Sequence, residues 1–414
     1  MSCEESIRAL LAQLDAREGE IGAWAWLDHD LAIRQARALD AEASHAALHG
    51  MPIGIKDVID TADMPTEYNS PIYAGHRPTR DAEVVTRLKA AGAIILGKTV
   101  TTEFAFMAPG RTRNPHDPSC TPGGSSSGSA AAVAAAMVPV ALTTQTGGST
   151  IRPAAFCGVI GYKPAFNRYP TAGLKYLAPS LDTIGLHARD LNDLARVSSV
   201  LAGDVNSAPL SSVRPRLALT LTHHASQAEP QAILRLEAVA QVLAHAGADV
   251  RKLELPRIFA ELDCLHRVIM SNEVAQSFSA EWAHARDKLS AELAQFIEQG
   301  LSYGAAQVAD ARARVAQGKR LIGELLTQGE LILTLPAAGE APVGLGSTGN
   351  AAFNRLWTLL GLACMTLPAG RGMRGLPLGV QLVGRGNCDA RDEQELLDMA
   401  RWTQDAMAGA GFNG

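Results

Sequence analysis

The sequence predicts an α/β protein of the three-layer α/β/α class, with a mixed central sheet, helices on both sheet faces and a helical cap. A helix, a glycine and a short apolar strand follow one another at residues 81–96, and the same order returns at 230–253. This order is typical of α/β proteins, in which buried strands pack between helices. Short strand-like segments are spread over all 414 residues, and no linker divides the chain. We therefore expect a single domain over residues 1–414.

The elements follow from the spacing of apolar residues along the chain. Helical spacing predicts N-terminal helices over residues 1–48 and further helices at 81–91, 130–137, 230–246, 350–362 and 391–407. Short apolar runs predict strands at 51–55, 93–96, 138–142, 250–253, 331–335 and 378–383. Residues of about 225–328 are mostly helical in pattern, and we expect them to form the cap.

Composition and charge exclude several classes of function. The formal net charge is −5, so no face is obviously built to neutralise the phosphates of a nucleic acid. The longest apolar run, residues 130–142, contains a proline and is shorter than the roughly 20 residues of a membrane helix. Six cysteines without a C-x-x-C pair are typical of reduced thiols. We expect a cytoplasmic protein that binds neither nucleic acid nor membrane.

Residues 119–164 differ in composition from the rest of the chain. Two Gly-Gly-Ser clusters, at 123–129 and 147–149, flank an alanine-rich apolar stretch. The first cluster alone could be a flexible linker, but a linker is rarely followed at once by so apolar a helix. Serines near 127–129 can cap that helix, and a helix N-terminus surrounded by Gly and Ser presents free N–H groups.

Three kinds of chemistry compete for this segment. A phosphate-binding loop of the Walker type needs a lysine, and none lies between residues 99 and 162. Residues 124–128 match G-x-S-x-G, but the α/β-hydrolase arrangement needs a late histidine and the last one is His284. The third possibility is a set of serines served by a lysine, which can act as a base if burial lowers its pKa.

The residues that support this third possibility resemble the amidase signature family. The paired clusters place Ser149 24 residues after Ser125, which is the spacing in that family. Further matching stretches cover most of the chain, at residues 54–57, 97–99, 181–185 and 375–382. Within the family, Gln-Thr-Gly-Gly-Ser at residues 145–149 most resembles malonamidase.

The resemblance implies a role for each member of a triad. Ser149 would be the nucleophile and Ser125 would relay its proton, with a cis peptide bond between Gly124 and Ser125. Lys56, in the Gly-Ile-Lys-Asp stretch, would be the general base; a surface position is the alternative for any lysine. Since a serine hydroxyl is a weak nucleophile, it depends on such a base. Asp182, in another matching stretch, is assigned to the scaffold.

The resemblance also implies how the substrate is held. Backbone N–H groups of Thr146, Gly147, Gly148 and Ser149 would form the oxyanion hole. Arg152 stands three residues after the predicted nucleophile, where malonamidase has an arginine that holds the substrate carboxylate. A structural arginine bound to backbone carbonyls is the equal alternative. Most family members have an aspartate two residues before the glycine pair; this chain has Gln145, so that buried charge is missing.

The implied reaction is hydrolysis of a small amide to a carboxylate and ammonia or an amine, through an acyl-enzyme. We expect a small-molecule amide as substrate, a homodimer, and no metal or organic cofactor, since the 11 histidines show no metal-binding spacing. Two alternatives stay open. The chain could be the A subunit of a tRNA-dependent amidotransferase, or a non-catalytic family member acting as a binding scaffold. The presence of Lys56, Ser125 and Ser149 together argues against the scaffold.

Overall fold

A computed structural model describes residues 2–42, 46–204 and 215–412. Within these ranges the chain forms one mixed sheet of 11 strands, with helices packed against both of its faces. The predicted α/β class with a mixed central sheet is therefore confirmed.

The strands of the described residues are mostly short. They are β1 (Trp24–Leu27), β2 (Pro52–Lys56), β3 (Ile94–Thr99), β4 (Val140–Gln145), β5 (Ile160–Lys163), β6 (Thr183–Ala188), β7 (Arg216–Leu219), β8 (Asp249–Lys252), β9 (Glu330–Thr334), β10 (Cys364–Arg371) and β11 (Pro377–Val383).

The helices range from six residues to 21 residues, the longest having more than five turns. They are α1 (Cys3–Ile21), α2 (His29–Asp40), α3 (Glu83–Ala90), α4 (Ser127–Ala134), α5 (Ile151–Cys157), α6 (Leu191–Ala202), α7 (Pro230–His245), α8 (Ile258–Ser277), α9 (Ser279–His284), α10 (Ala291–Ser302), α11 (Ala305–Leu325), α12 (Ala352–Leu359) and α13 (Ala390–Gly409).

The sheet combines parallel and antiparallel pairs in the order β1-β3-β2-β4-β6-β5-β10-β11-β9-β7-β8. Strand β2 is parallel to both β3 and β4, and β7 is parallel to both β8 and β9. The remaining pairs are antiparallel. The parallel trio β3-β2-β4 matters for function, because the carboxyl ends of parallel strands meet at one edge of a sheet.

Apolar clusters on the two sheet faces hold the layers together. One cluster packs α3, α6, α7 and α13 against the sheet; others pack α1, α2 and α4, and α8, α11 and α12. Strand β3 contributes to both sides, with Ile95 in the first cluster and Ile94 and Leu96 in another. Because neighbouring residues of a strand face opposite sides, a continuous apolar run marks a strand covered on both faces.

The N-terminal region corrects one prediction. The apolar spacing predicts helix over residues 1–48, but β1 separates α1 from α2 and pairs with β3, with Trp24 opposite Thr99. Four residues carry too little periodic signal to predict a strand, and the pairing partner lies more than 70 positions along the chain. Residues 43–45, within the predicted helical segment, lie outside the described residues.

The sequence pattern also misses β5, β6, β7 and β10. These strands include residues that local patterns do not assign to buried strands, such as His187 in β6 and Pro368 in β10. They are stabilised by hydrogen bonds to neighbouring strands of the sheet, which a local sequence pattern does not show. The segment predicted as a cap, residues of about 225–328, begins with α7 and β8, and β8 is an edge strand of the central sheet; its remaining helices are α8 to α11, between residues 258 and 325. The single domain and the cap stay predictions.

Candidate active site

The predicted site residues gather at the edge of the sheet where β2 and β4 end. Lys56 is the last residue of β2, and Gln145 is the last residue of the parallel neighbour β4. Ser125 lies two residues before α4, and Ser149 lies in the turn between β4 and α5. Strand order, rather than sequence proximity, therefore brings segments about 90 residues apart to one place.

Lys56 is completely buried and has only neutral hydrogen-bond partners. Its Nζ lies 2.7 Å from the Ser125 Oγ and 2.7 Å from the Thr144 Oγ1. Burial lowers the pKa of Lys56 well below its usual value, and the charge of Asp182 opposes this only in part. The sequence left a surface position open for this lysine; the structure excludes it. A lysine whose ammonium group loses its proton easily is present as the neutral amine, and a neutral amine can accept a proton from a hydroxyl.

The two serines are neighbours through the backbone. The peptide bond between Gly124 and Ser125 is cis, as the resemblance implied. The Ser126 N–H donates to the Ser149 carbonyl oxygen at 3.3 Å. Within the described part of the chain, no hydrogen bond joins the hydroxyls of Ser125 and Ser149. The structure thus brings Lys56 into contact with Ser125 and leaves the second contact of the predicted triad to be tested.

In the loop 146–149, several backbone N–H groups lack an acceptor, whereas two backbone carbonyl groups accept hydrogen bonds from side chains. The N–H groups of Gly147, Gly148 and Ser149 donate to no acceptor among the described residues. In contrast, the Thr146 carbonyl accepts a hydrogen bond from the His266 Nε2 at 2.9 Å, and the Gly147 carbonyl accepts one from the Thr358 Oγ1 at 2.8 Å. Free N–H groups beside a pocket are what an oxyanion hole requires.

The Gln145 side chain makes hydrogen bonds to the backbone that follows the same loop. Its Oε1 accepts the N–H groups of Thr150 and Ile151 at 2.9 and 3.0 Å, and its Nε2 donates to the Thr358 Oγ1 at 3.0 Å. The side chain is fully buried and neutral. It satisfies backbone donors at the start of α5 that no residue within the helix can satisfy.

Asp182, which the sequence assigned to the scaffold, makes a direct hydrogen bond to the loop 146–149. Its Oδ1 accepts the Thr146 hydroxyl at 2.5 Å, and its Oδ2 accepts the Leu177 N–H at 2.7 Å. Burial raises the pKa of Asp182 to about 7, while these hydrogen bonds and the charge of Lys56 act in the opposite direction. This carboxyl group therefore helps to fix the first residue of the loop.

Arg152 is buried without a carboxylate partner among the described residues. Its Nη2 donates to the Gly124 carbonyl at 2.6 Å and to the Thr348 Oγ1 at 3.1 Å, while its Nε has no partner there. Burial and the positive charge of Arg355 lower the pKa of Arg152 to about 10. The bond to a carbonyl agrees with the structural alternative, and the unneutralised charge agrees with the carboxylate-binding one.

A pocket of about 480 Å³ opens above Ser149 and the loop 146–149. Its wall includes Arg152, apolar residues such as Phe106 and Met270, and the ion pair of Arg355 with Asp263, which is 2.8 Å long. Such a volume suits a small molecule. No sequence motif marks the part of this wall that α8 supplies, so that part could not be predicted.

Two kinds of feature are missing from the described residues. Among residues 2–42, 46–204 and 215–412, no group of three or more His, Cys, Asp or Glu side chains could hold a metal ion. Over the same ranges, no helix combines the length and the apolar character of a membrane span.

Comparison with known proteins assigns the family. Residues 5–397 match the family model described as Amidase. The chain belongs to the amidase family. The family-level resemblance stated from the sequence is therefore confirmed.

Curated relatives cover nearly the whole chain. The A subunit of the glutamyl-tRNA(Gln) amidotransferase of Acidobacterium capsulatum is 32% identical over 438 residues, covering 92% of each chain. Its counterpart in Chloroflexus aurantiacus is 34% identical over 436 residues, covering 92% of this chain and 89% of the relative. The closer resemblance to malonamidase stays a prediction.

Solved structures share the fold over nearly their full length. A crystal structure described as an amidase superposes with a TM-score of 0.87 at 26% identity, covering 98% of this chain and 96% of the other. The peptide amidase of Stenotrophomonas maltophilia gives a TM-score of 0.80 at 26% identity, covering 99% and 94%. These neighbours support a hydrolase of the amidase family.

The burial of Lys56 predicts a dependence of stability on pH. In the unfolded chain this lysine keeps a pKa of about 10.4, whereas in the folded chain the pKa is much lower. Between the two values the unfolded state binds the extra proton, so the free energy of unfolding should rise with pH by up to about 1.4 kcal/mol per unit. The Lys56→Met variant lacks this contribution.

The measurement is urea-induced unfolding of both proteins between about pH 7 and pH 10, below the ordinary lysine pKa. We expect the wild type to gain stability relative to Lys56→Met as the pH rises. Other buried lysines, such as Lys98 and Lys163, are present in both proteins and cancel in the difference. Parallel stability curves would show that Lys56 has an ordinary pKa in the folded state.

Proposed function

We propose that this protein hydrolyses a small amide to a carboxylate and ammonia or an amine, with Ser149 as nucleophile, Ser125 as relay and Lys56 as base. The observation that carries the proposal is the contact of 2.7 Å between the buried Lys56 amine and the Ser125 hydroxyl, next to the loop whose Ser149 lines a pocket. A neutral amine in that place can take a proton through Ser125.

The proposed reaction has two halves. Ser149 Oγ attacks the amide carbon as its proton passes to Ser125, whose own proton passes to the Lys56 Nζ. The oxyanion that forms accepts hydrogen bonds from N–H groups of the loop 146–149. When the C–N bond breaks, the leaving nitrogen takes the proton back from Lys56 by way of Ser125. Water then attacks the acyl-enzyme by the same proton route and releases the carboxylate. Preorganised N–H donors of this kind typically contribute about 3–4 kcal/mol each.

We further propose that the substrate carries a carboxylate, as malonamate does. Arg152 supports this because its guanidinium lines the pocket, and its two hydrogen-bond acceptors are neutral. A carboxylate suits the planar donor arrangement of arginine. The predicted homodimer and the cytoplasmic location stay predictions.

The curated relatives favour a second candidate, the A subunit of a tRNA-dependent amidotransferase. Amidotransferase A subunits match this chain over about nine tenths of both lengths, which supports that candidate better than it supports a free-standing amidase. The chemistry at Ser149 would be the same, with ammonia passed on to a partner. The two candidates differ in what the purified chain can do by itself.

An ammonia-release assay distinguishes them. If the chain is a free-standing amidase, it should turn over malonamate or a related small amide alone, at a rate that tRNA and added partner proteins do not change. If it belongs to an amidotransferase, it should release ammonia efficiently from glutamine only when both are present. Glutamine and malonamate should be compared at equal concentration with the same enzyme preparation.

The nucleophile can be mapped with a fluorophosphonate probe. We expect the probe to label Ser149, and Ser149→Ala to lose labelling and at least ~1,000-fold in kcat. Ser126→Ala is the matched control, because Ser126 lies in the same Gly-Ser cluster as Ser125. The Ser126 hydroxyl bonds only to the backbone of Thr144: it donates to the Thr144 carbonyl at 3.3 Å and accepts the Thr144 N–H at 3.4 Å. This control should keep substantial activity. A covalent adduct found by mass spectrometry on Ser126 would contradict the triad.

The role of Arg152 can be tested by comparing a charged and a neutral substrate. For Arg152→Gln we expect kcat/KM to fall about 30-fold to several thousand-fold on malonamate, because one partner of a partly buried charge pair is lost. On malonamide, which is neutral and of equal size, kcat/KM should change little. Equal losses on both substrates, together with a lower melting temperature, would assign Arg152 a structural role and leave the hydrolase proposal intact.

A further inference from the structure

We infer that His266 and Thr358 are positioning residues that orient the oxyanion hole, by holding the carbonyl groups of the two peptide units that carry its central N–H donors. The inference rests on the proposed function, because it takes the loop 146–149 as the place where the oxyanion forms. His266 belongs to α8 and Thr358 to α12, so both anchors come from segments far from the loop in sequence.

The geometry of the peptide unit makes this anchoring effective. A trans peptide is planar, with its C=O and N–H groups pointing in opposite directions. A donor that fixes the Thr146 carbonyl therefore also fixes the direction of the Gly147 N–H, and a donor on the Gly147 carbonyl does the same for the Gly148 N–H. Glycines permit many backbone conformations, so this pair would otherwise leave both peptide units free to turn.

His266 is suited to donate a hydrogen bond to a backbone carbonyl. Its side chain is 3% exposed, and its Nε2 lies 2.9 Å from the Thr146 oxygen. Burial lowers the pKa of His266 to about 4, aided by the nearby charge of Arg355 and opposed by Asp263 and by the bond to Thr146. The ring is therefore neutral near pH 7, and its Nε2 must carry the proton in order to bond the carbonyl. It cannot serve as a base at that nitrogen.

Thr358 is held in the donor role by Gln145. Because the Gln145 Nε2 donates to the Thr358 Oγ1 at 3.0 Å, that oxygen acts as an acceptor there and its own proton goes to a carbonyl. Two carbonyl oxygens lie within reach, that of Gly147 at 2.8 Å and that of Asn354, in the same helix, at 3.1 Å, and the contact with Gly147 is the shorter one. A carboxylate at residue 145 would instead attract the threonine proton to itself. The neutral Gln145 amide thus supports a defined direction of donation.

The consequence is that α8 contributes to the chemistry without touching the reacting atoms. A hydrogen bond to a peptide carbonyl also polarises the N–H of the same unit and makes it a stronger donor. Loss of either anchor should therefore weaken binding of the transition state more than binding of the substrate. The expected signature is a lower kcat with KM nearly unchanged.

Isosteric pairs of variants test the inference. In His266→Gln the amide N–H takes the place of Nε2–H, whereas in His266→Asn it lies near the position of Nδ1, too short to reach the carbonyl. Thr358→Ser keeps the hydroxyl and Thr358→Val removes it at equal size. Using malonamate or whichever amide the wild type hydrolyses, we expect His266→Gln and Thr358→Ser to keep kcat within a few-fold. We expect His266→Asn and Thr358→Val to lower kcat about 10- to 100-fold, with KM within about three-fold.

The controls separate this inference from the proposed function. Melting temperatures and fluorophosphonate labelling at Ser149 are measured for every variant. A wild type that is not labelled at Ser149 would overturn the proposed function and this inference with it. If the wild type is labelled, equal kcat within both pairs would overturn this inference alone, as would losses that follow the melting temperature. If a His266 variant fails to fold, the Thr358 pair still decides.

Discussion

Burial of the Lys56 amine without a carboxylate in contact is the constraint on which the site depends. Transfer of an ammonium group out of water is costly, so a lysine in such a place releases its proton instead. Its contacts with the hydroxyls of Ser125 and Thr144 suit a neutral amine, which can both donate and accept. The sheet makes this burial possible, because β2 runs between β3 and β4 and both of its faces are covered.

A second constraint follows from the backbone of the loop 146–149. Glycines allow close approach and leave N–H groups free, but they do not hold those groups in one direction. The surrounding side chains supply what the glycines lack. Asp182 binds the Thr146 hydroxyl, and Gln145 binds the backbone at Thr150, on the other side of the loop. The loop is thus fixed at both ends, while its central N–H groups have no acceptor among the described residues and its residues line the pocket.

The sequence predicts those parts of the site that lie in local motifs. The spacing of Ser125 and Ser149 and the stretch around Lys56 could be recognised, and so could the regular helix–strand units of the fold. His266 and Thr358 could not, because neither belongs to a motif and their importance arises only when α8 and α12 reach the loop. The strand β1 escaped prediction for the same reason: its hydrogen-bonding partner is distant in sequence.

The charge of Arg152 bears on which substrates the pocket can hold. Asp263 neutralises Arg355, whereas Arg152, which lines the same pocket as Ser149, has no carboxylate partner among the described residues. An anionic substrate would offset that charge on binding and would keep water away from it. Arg152 would therefore favour substrates that carry a carboxylate, because such a ligand offsets part of the cost of burying its charge.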